Sequence, residues 1–315
     1  MTESSTVRLL LLGDLHLSTT GPAIPPACPD LETLDADAIV SIGDLIDDNR
    51  DHASDASAGD AYERRGRQFF ERLDAVGVPV LAVPGNHDPV ATTRRLADGL
   101  DNVTVLHRCA VDGGELDEAL SGMRFAGWGC EQFDLTPAFR YDRYPGIVPE
   151  SAGYDGIDQQ ATKIAETVES AVGRYLAGRS TATETAAELG VDTEANGECV
   201  ADLSKLKSVF ERIREVLAPA AETSVLLSHE SPFHVAFDYH HSANGLAARL
   251  HRGSIPLKMA IVDVAPDIVF SGHMHSQGRD AIKTTAGYAD IYNPGSPGVA
   301  IVEIDVDTGS LRIVE

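Results

Sequence analysis

Cysteine, lysine and aromatic residues are all scarce in this chain of 315 residues, and each shortage excludes something. The four cysteines, Cys28, Cys109, Cys130 and Cys199, lie far apart and form no C-x-x-C pair. That excludes a disulfide framework and a thiolate zinc knuckle, and leaves core or surface thiols. Only 5 lysines and 20 arginines face 49 acidic residues, so the formal charge is −24. A chain of that sign is a poor host for a broad basic groove on duplex DNA. No run approaches the ~18 apolar residues of a membrane span, and the short apolar stretch at 9–12 does not make a signal peptide. A cytoplasmic location away from membranes is therefore expected. With aromatics at 6% but apolar residues at 43%, there is enough apolar surface for a large core without disulfides. There is no internal repeat.

The acid excess consists of 29 Asp and 20 Glu. Charges of one sign repel and destabilise the compact state unless ions screen them. This Asp-rich, Lys-poor balance resembles that of proteins from salt-loving archaea, whose cytoplasm supplies the screening. Folding is expected to need salt. The Debye length reaches ~10 Å at about 0.1 M salt, so thermal unfolding should move to higher temperature between about 0.1 M and about 2 M KCl. A melting point unchanged or higher at low salt would remove the halophilic reading.

The first third of the chain alternates strand and helix signals. Residues 7–12, 38–42 and 78–83 are short apolar runs that read as buried strands. Helical spacing appears at 61–73 and 91–99, and further strands at 103–106 and 124–128. Alternation of this kind implies βαβ units and a largely parallel sheet. The middle differs. Residues 130–154 hold prolines and aromatics without a period and read as a long loop. Helices are expected at 156–176 and 203–217, with 177–200 as a weak helix or mobile linker. The last third returns to strands at 224–227 and 268–270, with a helix at 254–264 between them. Strands at 288–292, 299–305 and 311–314 are expected to close the chain as an antiparallel run. The whole reads as one domain, 1–315, with a helical and loop insertion at about 130–221. The insertion is expected to pack on the core, or to wall the mouth of a site with 177–200 as its moving part.

Polar residues recur at one kind of place, directly after an apolar strand. Five strand ends deliver Asp14 and His16, Asp44, Asn86 and His87, His229, and His273 and His275. Ligands of open α/β sheets bind outside the carboxyl ends of strands. All these side chains offer oxygen or nitrogen donors. Flanking glycines (Gly13, Gly43, Gly85, Gly272) permit sharp turns and close backbone approach there. Such a donor set suits Zn, Mn, Fe or Ni. Two divalent cations close together can clamp a phosphoryl group and activate water at neutral pH, and a carboxylate can bridge them.

The segments Gly13-Asp14-Leu15-His16, Gly43-Asp44, Gly85-Asn86-His87-Asp88, Ser228-His229 and Gly272-His273-Met274-His275 resemble the five motifs of the calcineurin-like metallophosphoesterases, in family order. The segment Asn293-Pro294-Gly295-Ser296 recurs in smaller members. The resemblance covers about residues 6–130 and 223–315. It implies an α/β fold, a two-sheet αββα sandwich of the metallophosphoesterase type. It also implies two divalent metal ions, manganese foremost, with iron, zinc or nickel as alternatives. Asp14, His16 and His275 would hold the first ion, and Asn86, His229 and His273 the second. Asp44 would bridge them, with a bridging hydroxide as nucleophile. His87 would be the general acid or a transition-state contact, oriented by Asp88 or Asp47.

The expected activity is hydrolysis of a phosphodiester or nucleotide-type substrate, with a small phosphoester or nucleotide as partner. The segments around Asp44 and Asn86 also resemble archaeal double-strand-break repair nucleases, so an exo- or endonuclease is the alternative; a nucleic-acid partner is not favoured on this acidic chain. A metal-binding scaffold without turnover is a third class, disfavoured because no motif residue is missing. Asp47 and Asp48 also fit a solvated acidic turn. His234, His240 and His241 fit either a substrate cleft or an exposed loop. Arg140, Arg143 and Tyr144 are candidates for phosphate contact from the long loop.

Overall fold

The apolar runs become strands covered on both faces. The computed structural model describes residues 6–47, 56–130, 139–148, 153–192, 195–218, 221–239 and 250–314. In β1 (Thr6–Gly13), four successive leucines are fully buried. Their alternation explains how: Leu9 and Leu11 face one apolar layer, Leu10 and Leu12 another. Period-two side-chain direction requires that split when a strand has a second layer on each side.

The first sheet joins β1 in parallel to β2 (Ala38–Ser41), β3 (Val80–Ala82) and β4 (Val103–Val105). Its outer face is covered by α1 (Ala56–Asp74) and α2 (Val90–Ala97), through Phe69, Phe70, Leu73 and Leu96. The second sheet has β6 (Met123–Trp128), β7 (Thr223–Ser228) and β8 (Ile268–Phe270) in parallel. Its edges are β5 (Cys109–Asp112) and β9 (Gly278–Lys283), both antiparallel to their neighbours. Neither edge strand is expected from periodicity, because each is half exposed and carries charges. The sheets face each other across Phe125, Leu227, Phe270, Val302 and Ile304. Burying each such side chain contributes on the order of 1.5–3 kcal/mol.

The end of the chain departs from the expected antiparallel run. β10 (Tyr288–Asn293) lies parallel to β8 in the second sheet, whereas β11 (Gly298–Asp305) lies antiparallel to β1 in the first. The N-P-G-S segment carries the chain from one sheet to the other. Only β11 and β12 (Ser310–Ile313) form an antiparallel pair there.

Between β6 and β7 stand α3 (Gly153–Leu176), α4 (Ala182–Glu188) and α5 (Asn196–Leu217). Their stripes, including Val168, Val172, Leu206 and Ile213, share one buried cluster with Leu226, Val269 and Ile291 on the outer face of the second sheet. α6 (Ile255–Val264) completes that layer through Leu257 and Ile261. The weak helix expected within 177–200 has a firm start: Thr181 accepts from the Glu184 amide, and the Glu184 carboxylate accepts from the Thr181 amide at 2.8 Å. That reciprocal capping box holds a helix of only seven residues. The loop before α3 is tied to the same layer, since the Tyr144 hydroxyl donates to Asp202 at 2.9 Å. None of the four cysteines forms a disulfide, and Cys130 and Cys199 are buried. Among the described residues, no helix is long and apolar enough to cross a membrane.

Candidate metal centre

The loops that leave the parallel strands of both sheets converge. β1 delivers Asp14 and His16, β2 delivers Asp44, β3 delivers Asn86 and His87, β7 delivers His229, and β8 delivers His273 and His275. The chain turns so sharply after these strands that Asp14, His16, Asp44, His273 and His275 all adopt positive φ, between 45° and 68°. Residues other than glycine rarely take that conformation, and it costs of order 1–3 kcal/mol each. The site thus stores strain to aim its side chains.

Two glycines permit the closest approach. At Gly43, with φ of 96°, a Cβ would stand 2.5 Å from the Gly85 nitrogen; at Gly85 a Cβ would stand 2.2 Å from Asp44 Oδ1. The two loops therefore touch backbone to backbone only because neither carries a side chain there.

The side chains form two overlapping groups. Asp14, His16, Asp44 and His275 bring one ligand atom each within 4.8 Å of one another, and so do Asp44, His229 and His273. Asp44 belongs to both. Asn86 joins the second group, with its Oδ1 at 2.8 Å from His229 Nε2 and 2.9 Å from His273 Nδ1. His16 Nε2 and His275 Nε2 stand 3.1 Å apart. His87 Nε2 lies 4.0 Å from Asp44 Oδ2. Every ligand position expected from the sequence, and His87 with them, is thus in one place.

The surrounding hydrogen bonds hold the donors in readiness. The His87 amide donates to Asp44 Oδ1 at 2.8 Å, and the His273 amide donates to Asp14 at 2.9 Å. His229 Nδ1 donates to the Ile42 carbonyl at 2.9 Å. That bond leaves Nε2 with a lone pair, and it faces two acceptors, Asn86 Oδ1 and, at 3.4 Å, Asp44 Oδ2. A lone pair aimed at two oxygens is satisfied by a proton or a cation placed among them. The donor set holds oxygen and nitrogen without thiolate, and the shared carboxylate offsets cation repulsion. The residues fit a pair of divalent cations.

Electrostatics agree. Burial raises the Asp14 carboxyl to about 7, against the pull of His229. Burial alone would lower His229, but the charges of Asp44 and Asp14 and its hydrogen bonds push it up. Burial likewise opposes ionisation of Asp44, and His229 and His87 outweigh it and hold the carboxyl low. A cation taking these places would compete with protons on Asp14 and His229. Cation uptake is therefore expected to strengthen as pH rises through about 7 and to release protons. Manganese titrations at about pH 6 and about pH 8 check this; equal affinity at both would contradict it.

Of the two carboxylates expected to orient His87, Asp88 has other partners. It accepts from the amides of Gly85 at 3.1 Å and Leu45 at 3.3 Å and from the Tyr62 hydroxyl at 3.2 Å. Buried among these donors, it ties the two glycine loops together. Asp47 is the carboxylate that groups with the rings of His16 and His87, within 4.8 Å. Asp48, His240 and His241 lie outside the described residues.

The other candidates are engaged elsewhere. Arg140 forks onto Asp142, Arg143 pairs with Glu198, and Tyr144 is fully buried. All three thus have partners within the protein. His234 Nδ1 meets Glu169 at 2.9 Å. Three supports were not legible in the sequence: the Tyr62 hydroxyl on the His87 carbonyl, the Ser296 hydroxyl on the Asp14 carbonyl, and the Ile42 carbonyl on His229. Only Ser296, within the N-P-G-S segment, carried any signal.

A family model described as calcineurin-like phosphoesterase matches residues 7–277. A search of the curated proteins gave no match. Among solved structures, one crystal structure is 13% identical at a TM-score of 0.54, covering 98% of this chain and 99% of the other. Another, the crystal structure of TT1561 of Thermus thermophilus, is 16% identical at a TM-score of 0.46, with 98% and 99% covered. The first supports the two-sheet sandwich fold.

Proposed function

Since the chain belongs to the calcineurin-like phosphoesterases, we propose that it hydrolyses phosphodiester or nucleotide-type substrates at a two-metal centre. The observation that carries this is the pair of ligand groups sharing Asp44, with the His87 ring 4.0 Å from the shared carboxylate. Divalent cations bound there, manganese foremost, would supply a nucleophile at neutral pH and stabilise charge on the phosphoryl oxygens.

Asp14, His16 and His275 would hold one ion and Asn86, His229 and His273 the other, with Asp44 shared between them. Exposure indicates the substrate side. The side chains of Asp14, Asp44 and His229 are at most 2% exposed, whereas His16 and His87 are each 22% and His275 31% exposed. A phosphoester approaches over those three rings. His87, whose backbone is pinned through its amide to Asp44 and through its carbonyl to Tyr62, donates a proton to the leaving oxygen. Asp47 stands beside that ring and orients it. The charge of −24 supports a small ester over duplex DNA.

A panel of mono-, di- and cyclic phosphate esters, with single-stranded and duplex DNA, run with manganese at high KCl, tests this. Hydrolysis of small diesters that is lost on chelation and restored by manganese is expected. Turnover of DNA alone moves the protein to the nucleases. No turnover with both ions bound leaves a scaffold.

A further inference from the structure

A cleft of about 1030 Å³ lies among α3, α5, α6 and β9, and none of its lining residues belongs to the metal centre. Its charge runs against the rest of the molecule. Five cations line it, Arg174, Arg179, Arg214, Lys258 and Lys283, against three carboxylates. The chain as a whole has 25 basic and 49 acidic residues, and two of its five lysines stand here.

The second observation is Lys258. Its side chain is only 10% exposed, and its ammonium comes no closer than 4.0 Å to Glu169. That carboxylate is already bonded to His234. No hydrogen bond to the Lys258 ammonium exists among the described residues. An ammonium with three donors and only this long ion pair has donor positions left for an anion in the cleft. Arg179 and Lys283, exposed at the rim, have no carboxylate partner among the described residues. The lining also includes the apolar side chains of Phe210, Met259, Val262 and Ile282. Pockets of this size hold drug-sized ligands. Several cations together with apolar lining match a multiply charged head on an apolar or flat body.

We propose that this cleft is a second site, separate from the metal centre, for an organic phosphate of nucleotide size. The phosphoryl oxygens lie on Lys258, Arg179 and Lys283, and the body packs against Phe210 and Met259.

Calorimetry on the full manganese-loaded chain, with the non-hydrolysable α,β-methylene-ADP as probe, tests this. Charge reversal at both exposed rim positions, Arg179→Glu with Lys283→Glu, should weaken binding about tenfold or more and leave bound manganese unchanged. Lys258→Gln should act likewise; if that variant fails to fold, the rim pair still decides. Inorganic phosphate, which lacks a body for the apolar lining, should bind at least about tenfold more weakly than the analogue. Unchanged affinity in the rim variant, meaning binding at the metal centre alone, would overturn the proposal. So would the absence of binding, or equal affinity for inorganic phosphate. Bound manganese and ester turnover report on the metal centre separately, so its failure is distinguishable from failure of the cleft.

Discussion

Replacing Asp44 by asparagine should strip the chain of both cations. The intact protein loaded with manganese is expected to hold about two equivalents, and Asp44→Asn close to none. The substitution changes little in shape. The His87 amide still finds an oxygen at the Oδ1 position, where it now donates at 2.8 Å. The other oxygen is the one that faces His229 at 3.4 Å, His16 at 3.8 Å and His87 at 4.0 Å. As an amide nitrogen it would offer hydrogens where two ions need an anion, and the negative charge that offsets cation repulsion would be gone. Elemental analysis gives the stoichiometry, and a circular dichroism melt shows that the fold survives. One equivalent or none in the intact protein would sink the two-ion centre. Two equivalents retained in the variant would remove Asp44 as its bridge.

His87→Ala should do the opposite, keeping the ions and losing the rate. The ring belongs to neither of the two groups that share Asp44, so about two equivalents of manganese should stay. A positioned acid contributes ~10²–10⁴-fold, and that loss in kcat is expected on an ester with a poor leaving group. An activated ester, whose leaving group needs little protonation, should lose far less. Unchanged kcat on the poor leaving group with both ions bound would show that His87 is not the acid. Equal losses on the two esters would point to a contact with the phosphoryl group.

Much of this centre was legible because its chemistry is written at strand ends. A buried strand such as 7–12 is an unbroken apolar run, so the first polar residues after it, Asp14 and His16, stand out, and Gly43 and Gly85 mark where loops must nearly touch. What was not legible depends on contacts between distant segments. Nothing in residues 288–305 states that the chain changes sheets at Asn293, because a mostly buried strand looks alike in either sheet. The half-exposed β5 and β9 lack the apolar run that identifies a strand. Tyr62 reads as one more ring on an amphipathic helix until the fold brings its hydroxyl to the His87 carbonyl. For Asp88, one of the two carboxylates expected to orient His87, adjacency in sequence could not state that the fold also aims it at the Gly85 and Leu45 amides.

His16 and His275 are 259 positions apart along the chain, yet their ring nitrogens meet at 3.1 Å. The first sheet supplies Asp14, His16, Asp44 and Asn86, and the second supplies His229, His273 and His275. No half-assembled chain possesses the centre, because it comes into being only when the two sheets dock. Contacts so distant in sequence are slow to form, which makes cation capture a late event in folding. Ions held by ligands from both sheets would act as a reversible cross-link on nearly the whole chain. Their release would have to precede or accompany separation of the sheets, so the lifetime of the bound ions sets a lower bound on how long the folded state persists.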